Sequence, residues 1–360
     1  MKTLLAILLF FTFTGCNAQK KVSDHLTEIE MLSRRASHTS TLLKDGRVLI
    51  AGGFYDSDGE TVFLNTAEIY DPETGEFTPT GNMTSQRVSQ NAVLLSDGRV
   101  LLVGGWENSV RSSLLEIYDP ETGTFSVAAN LPTHRDGTTS TLLKNGKVLI
   151  TGGIKSRGVF LDEALLFDPV NNSVIPAAKM NVPRFSHTAT LLDDGRVLIT
   201  GGESPSGILS EAEIYDPETN TFTPTAGMNT MRYKHAAILM NDGNVLVVAG
   251  SDERDWNGKY NTAEVYLAKE NKFIPASNLS GERFKLMDAL ALLPDGKVLI
   301  AGGNKKLELY DPVYDTFTEI GTLPDNFYYT TATALTNGSI LVAGGYNGGI
   351  KATSLAWIYN

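Results

Sequence analysis

The chain of 360 residues holds a single cysteine, Cys16. No intramolecular disulfide is open to it, so stability has to come from packing and hydrogen bonds. Positive charge is scarce as well: 30 Lys and Arg stand against 41 Asp and Glu, a net charge of −11. No basic stripe competes with that balance, which argues against nucleic acid as a partner. After the first twenty residues no apolar run is long enough to span a bilayer as a helix. The nucleophile elbow G-x-S-x-G, the zinc motif H-E-x-x-H and the phosphate-binding P-loop are all missing. The D-S-D-G run at 56–59 lacks the rest of a calcium loop and reads as a solvated polar tip.

Glycine is plentiful, with 34 residues, and it is periodic. A Gly-Gly pair (once Ala-Gly) ends a hydrophobic run at Gly53, Gly105, Gly153, Gly202, Gly250, Gly303 and Gly345. An Asp-Gly or Asn-Gly turn precedes each, as in DGRVLIAGG at 45–53 and NGKVLITGG at 145–153. The second glycines are 52, 48, 49, 48, 53 and 42 residues apart. One such unit cannot bury both faces of a small sheet alone, so a period near fifty predicts a radial β array.

Within one unit, the segment before Asp45-Gly46 reads as a strand, and the turn favours a two-residue hairpin. RVLIAGG is a near-continuous apolar run, expected to be buried on both faces. NTAEIYDP is a third strand stopped by Pro72, and EFTPT is a fourth. The unit is thus a four-stranded antiparallel blade, with strands A to D. The double glycine, the strand-C aromatic and the DP-x-T-x-x-F ending resemble the kelch motif, over about 335 residues in seven in-phase copies. The resemblance implies an all-β, seven-bladed propeller. The last copy ends in strand C, at Trp357 to Asn360, and Met31 stands where other blades carry a Met or Leu just after strand D. Residues 24–31 are therefore expected to supply the missing strand D and close the ring, with His25 in place of the usual Phe.

The N-terminus differs from the rest. Lys2 precedes an apolar run over residues 4–13, and Phe13-Thr14-Gly15-Cys16 resembles the lipobox of bacterial lipoprotein signal peptides. That resemblance implies removal of residues 1–15, lipidation at Cys16, and a location in the bacterial cell envelope, on its periplasmic face or outer surface. Residues 16–23 read as the lipidated cysteine and a polar tether, and 24–360 as the propeller.

The seven copies can be compared with one another. The A–B turns and C–D corners are uniform, whereas the B–C loop varies from 7 to 17 residues between the second glycine and the strand-C aromatic. In an antiparallel blade the B–C and D–A loops share one face, so function is expected there. Blade 5 has the richest loop, SDERDWNGKYN at 251–261, and blade 6 has almost none. The expected notch between blades 5 and 7 is bordered by Trp256, Tyr260, Arg283, Lys285, Asn304, Tyr328 and Tyr346. Trp106 and Arg111 are further binding candidates from blade 2.

An arginine recurs at the start of strand A: Arg35, Arg87, Arg135, Arg184, Arg232 and Arg283. The set can either bind carboxylates, phosphates or acidic sugars, or tie the propeller's seams. Its regular spacing favours the seams. His38, His187 and His235 share one repeat position three residues later, and read as interblade hydrogen-bonding groups rather than a metal site. Galactose oxidase is an enzyme on a kelch-type propeller, but its copper chemistry needs a thioether-linked cysteine and a Tyr-His pair that this chain lacks. Sialic acid mutarotases look like signal-bearing kelch propellers too, without a motif to carry residues over.

The sequence thus predicts a monomeric envelope lipoprotein, membrane-bound through its lipid alone and without cofactor or catalytic residues. It is expected to bind a protein or a glycan through the variable face. A carbohydrate-active enzyme resembling a sugar mutarotase is the alternative.

Overall fold

The computed structural model describes residues 20–23, 25–107 and 110–360. The expected signal peptide and Cys16 lie outside the described residues. Seven four-stranded antiparallel sheets follow one another along the chain. In blade 1 the strands are Thr39–Leu42, Val48–Ala51, Ala67–Asp71 and Glu76–Pro79, in the order A-B-C-D. Strand A of every blade contacts strand A of both neighbours, so the A strands surround the axis.

Strand B is buried along its whole length in each blade, as in Val48–Ala51 and Val197–Thr200. Its two faces pack against different neighbours, and the core is therefore divided among the seams. Leu49, Ala51 and Ile69 of blade 1 meet Val100, Leu102 and Tyr118 of blade 2 in one such cluster. At the rim the strand-C aromatic packs on the strand-D phenylalanine, as Tyr70 on Phe77 with centroids 4.9 Å apart.

The A–B turns depart from the expected two-residue hairpin. Leu43 N–H bonds Arg47 O at 2.8 Å and Gly46 N–H bonds Leu43 O at 3.1 Å, which makes a three-residue loop with glycine left-handed at φ 89°. Asp45 stays out of the left-handed region because its carboxylate accepts the Arg47 amide at 3.1 Å. The paired glycines have a different cause. Gly53 has φ 95°, and a Cβ there would sit 2.7 Å from the Ala36 carbonyl. The B–C and D–A loops meet at this point, and only a glycine allows the approach.

Blade 7 closes as expected. Leu26–Glu30 pairs with Leu355–Tyr359 from Leu26↔Tyr359 to Glu30↔Leu355. The polar segment read as a tether goes further than a tether would. Lys20–Ser23 forms a fifth, outermost strand on Leu26–Glu30, because the outer edge of that strand offers free backbone groups. Lys20 also pairs with Glu28 at 3.6 Å. No helix among the described residues is long and apolar enough to cross a membrane.

Candidate functional site

The variable face is built from hairpins. Phe54–Ser57 with Glu60–Phe63 in blade 1 and Trp106–Glu107 with Val110–Arg111 in blade 2 stand above the disc. Blade 5 replaces the hairpin with a single 3-10 turn, Asp255–Asn257. Each D–A strap but that of blade 6 is bridged to its own B–C loop, as Ala36 to Phe54 and Tyr328 to Tyr346, and in blade 6 Arg283 bridges instead to Tyr260 of blade 5.

The repeat arginines lie inside this scaffold. All six are at most 1% exposed. Arg35 pairs with Glu68 at 2.6 Å and donates to the Gly52 carbonyl at 2.7 Å. Arg87–Glu116, Arg135–Glu163, Arg184–Glu213 and Arg232–Glu264 repeat the pair at 2.6 to 3.0 Å, and Arg283 does so with Glu308. The guanidinium ties the D–A strap to strands B and C of its own blade. The seam to the preceding blade is made by the arginine's backbone carbonyl, as in Gly53 N–H to Arg87 O at 2.7 Å. Arg283 is thus not part of an exposed notch: its charge is spent on Glu308 within the blade.

Two more notch candidates, Tyr260 and Asn304, turn away from it, and the blade 2 candidates lie elsewhere. The Tyr260 ring faces Arg232 at 5.7 Å, and its backbone bridges Arg283. The Asn304 side chain accepts from Lys306 N–H at 3.1 Å and turns toward Glu282 and Gly281. Trp106 and Arg111 form a unit of their own. The guanidinium lies 4.4 Å from the indole centroid, and both groups donate to Asp136, with Arg111 Nε at 2.5 Å. Burial raises the Asp136 pKa, against the opposing effect of Arg111.

The structure does bring Trp256, Lys285, Tyr328 and Tyr346 together. Their meeting point follows from a second ring. The residue two places after each repeat arginine, or its equivalent, is left-handed: Ser37, Ser89, Gly137, Ser186, Lys234, Lys285 and Tyr329 have φ between 51° and 59°. Their backbones bond one to the next around the axis, except between Ser89 and Gly137. Ser89 N–H meets Ser37 O at 2.9 Å, Lys285 N–H meets Lys234 O at 2.9 Å, and Tyr329 N–H meets Lys285 O at 3.1 Å. A left-handed lysine or tyrosine is strained by roughly 1–3 kcal/mol, and the ring of bonds holds it there. Blades 1 to 4 contribute small side chains to this axial mouth, and blades 5 to 7 contribute long ones.

Lys285 is 8% exposed and sits in a cage of rings. Its Nζ lies 4.1 Å from the Trp256 centroid, 4.9 Å from Phe284, 5.5 Å from Tyr346 and 5.8 Å from Tyr329. It donates to Tyr346 Oη at 2.8 Å. Trp256 packs edge-on against Phe284 and Tyr328 at 4.8 and 4.7 Å, and remains 38% exposed. Next to the cage, Lys234 pairs with Asp255 at 2.9 Å and donates to Tyr233 Oη at 3.2 Å. Burial, then the neighbouring Lys234, push the Lys285 pKa down from 10.5 to about 8, while Asp255 opposes them. Burial also raises the phenols of Tyr329 and Tyr346. Asp136 of blade 3 contributes to the Tyr329 shift, so groups from opposite sides of the disc share this space.

Phe284, Tyr329, Lys234, Tyr233 and Asp255 were not singled out in the sequence. Alignment of the copies holds the signal: the position two after the arginine is Ser or Gly in blades 1 to 4 and changes to Lys, Lys and Tyr afterwards.

Below the mouth the A strands enclose a cavity of 280 Å³ that includes Thr138, Ser140, His187, His235 and Asp288. The histidines serve the seams here. His187 Nε2 lies 2.9 Å from Thr151 Oγ1, His235 Nε2 lies 3.2 Å from Thr200 Oγ1, and His38 Nε2 lies 3.2 Å from Thr331 Oγ1. On the uniform face a 550 Å³ cleft near Lys44, Arg47, Asp97 and Glu121 has a 410 Å³ counterpart near Lys144, Asp194, Arg196 and Glu218. A cleft that recurs with the repeat, and whose arginines pair with Asp45, Asp97 and Asp194, belongs to the architecture.

The sequence profile of the kelch motif matches residues 35–84, 87–132 and 184–229. The matches mark kelch repeats in blades 1, 2 and 4 of the seven-bladed ring. The chain is a kelch-repeat β-propeller. A solved fungal alcohol oxidase of the AA5 family, in complex with copper, is similar to this propeller with a TM-score of 0.73. The match covers 96% of this chain and 76% of that one, at 16% identity, and so concerns the fold. A search of curated proteins finds no match. The axial mouth of this kelch propeller does not fit a copper centre. Its donor set is phenols, two amines and a paired carboxylate, and Tyr346 Oη is taken by an amine. Among the described residues no group of three or more His, Cys, Asp or Glu is placed to hold a metal ion.

Proposed function

We propose that this kelch propeller is a cell-envelope lipoprotein, anchored through Cys16, that acts as a monomeric binding module for a glycan at its axial mouth. The observation that carries the reading is the convergence of Trp256, Phe284, Lys285, Tyr328, Tyr329 and Tyr346 at the axis. An indole face beside fixed polar donors matches a sugar, which presents an apolar C–H face and a rim of hydroxyls. A protein partner needs roughly 800 Å² from each side. The exposed apolar residues of the loop tips, Val110, Val159 and Ile350, stand singly on separate blades and supply no such patch.

The test is a thermal-shift screen of the chain against neutral and acidic monosaccharides, short glycans and divalent metals, with Trp256→Ala alongside. A sugar at one hundred times its dissociation constant adds about 2.7 kcal/mol of stability. The reading predicts a shift with at least one sugar class, lost in Trp256→Ala. A protein that shifts with no sugar, or equally in the variant, contradicts it.

A second reading, a sugar-converting enzyme, draws on one specific observation. The Lys285 amine and the Tyr346 phenol share a 2.8 Å hydrogen bond, and burial moves both proton affinities. Such a pair can pass a proton at a ring hydroxyl. Anomer exchange rates by NMR, on any sugar that binds, separate the two readings.

A further inference from the structure

This inference rests on the glycan reading and names the class of sugar. The other buried cations of the chain define a rule. Arg35, Arg87, Arg135, Arg184, Arg232 and Arg283 each have a glutamate within 3.0 Å. Lys234, half-buried at the same mouth, likewise has Asp255. Lys285 breaks the rule. Among the described residues its one hydrogen-bond partner is the neutral phenol of Tyr346, and no carboxylate pairs with it. An ammonium carries three donors, so two remain for a ligand. A buried cation without a counter-ion is costly to keep. The left-handed backbone at φ 59° that fixes its position adds to the cost.

We propose that the axial mouth binds a sugar bearing a carboxylate, with the carboxylate paired to the Lys285 ammonium and the sugar ring against Trp256. At the strap position that holds Lys234, Lys285 and Tyr329 in blades 5 to 7, blades 1 to 4 present only Ser37, Ser89, Gly137 and Ser186. The charged and titratable groups facing Lys285 are Lys234 and Asp255 from blade 5 and Tyr329 and Tyr346 from blade 7, with Lys259 beyond Phe284. Lys234 adds to the positive field. Asp255 is occupied by Lys234, so its charge does not repel the ligand at close range.

Isothermal titration of the full chain with galacturonate and galactose, and with glucuronate and glucose, tests this. Each pair differs only in carboxylate against hydroxymethyl. The acid is expected to bind roughly ten- to a hundredfold more tightly than its parent. Its affinity falls as pH rises from 7 to about 9.5, because the Lys285 proton is lost near pH 8. At pH 8.5, titrations in buffers of different ionisation enthalpy show proton uptake with the acids alone. Lys285→Met abolishes the preference and the uptake. The proton-uptake measurement uses unaltered protein, so it stands if the variant fails to fold. Equal affinity for acid and parent, without uptake, overturns the carboxylate inference and leaves the glycan reading in place. Acetate binding as tightly as the uronates overturns the sugar half of the proposal. Binding of none of these sugars overturns the inference, and with failure of the wider glycan screen the reading beneath it.

Discussion

Gln90 occupies in blade 2 the position that His38, His187 and His235 hold in blades 1, 4 and 5. It bonds the Ala51 carbonyl of the neighbouring blade at 2.8 Å, which is the same service to the seam without a titrating group. The histidines give that service a pH dependence. Burial, then the nearby arginine, lowers His38 to about 3, and the same causes hold His187 and His235 well below 6.5. A base with a depressed folded pKa binds fewer protons folded than unfolded, so its contribution is complete above pH 6.5. It is lost as pH falls from 6.5 toward 3. Three such groups remove up to about 4 kcal/mol per pH unit inside that window. Denaturation midpoints between pH 7 and 4.5 should flatten in His187→Gln and His235→Gln, with little change at pH 7. Unchanged acid sensitivity in both variants would mean that other groups drive the transition. Blade 7 makes a similar point for the ion pairs. It replaces the arginine and glutamate with Phe327 and Trp357, whose rings lie 5.5 Å apart. The pair is one solution to filling that corner, and an apolar pair is another.

At the scale of the element, the closing strand carries the largest structural responsibility. Leu26–Glu30 is paired on both sides, to Leu355–Tyr359 and to Lys20–Ser23, and Leu26 and Ile29 are buried. Thr27 faces Ile358 in one ladder and Lys21 in the other. Thr27→Pro removes a donor that one of these ladders uses and should lower stability by at least 1–3 kcal/mol, roughly. It should also expose an edge, read as concentration-dependent association in light scattering. Lys21→Pro, on the outermost strand, should do neither. Equal melting of both variants would mean that the ring closes without Leu26–Glu30. This strand was legible from the phase of Met31 and from the missing strand D. The added strand at Lys20–Ser23 was not, because KKVS carries no alternation and pairs only because an edge is there to meet it.

For the whole molecule, the repeat made fold and blade count readable, and showed which face carries the irregular loops. Glycine pairs and turn residues report backbone demands that are local and recur seven times. The site was half readable. The tall loop of blade 5 and the low wall of blade 6 pointed to Trp256, Lys285, Tyr328 and Tyr346, which meet at the axis. The notch reading failed for Arg283, Tyr260 and Asn304. Proximity in the loop map does not tell which side chains turn inward to Glu308, to Arg232 or to Lys306. Lys234 and Tyr329 sit on D–A straps of unvarying length, so loop length carries no signal of them, whereas Phe284 sits in blade 6, where two extra residues follow Arg283. The propeller holds the Lys285 charge at its axis, with no carboxylate paired to it among the described residues.

The most direct test is the pKa of Lys285 itself, from NMR titration of the lysine side-chain nitrogens, assigned with Lys285→Met, in the free protein and at saturation with galacturonate. The account predicts titration near pH 8 in the free protein and a clear rise with the ligand. A value above about 10 in the free protein, unmoved by galacturonate, would contradict it.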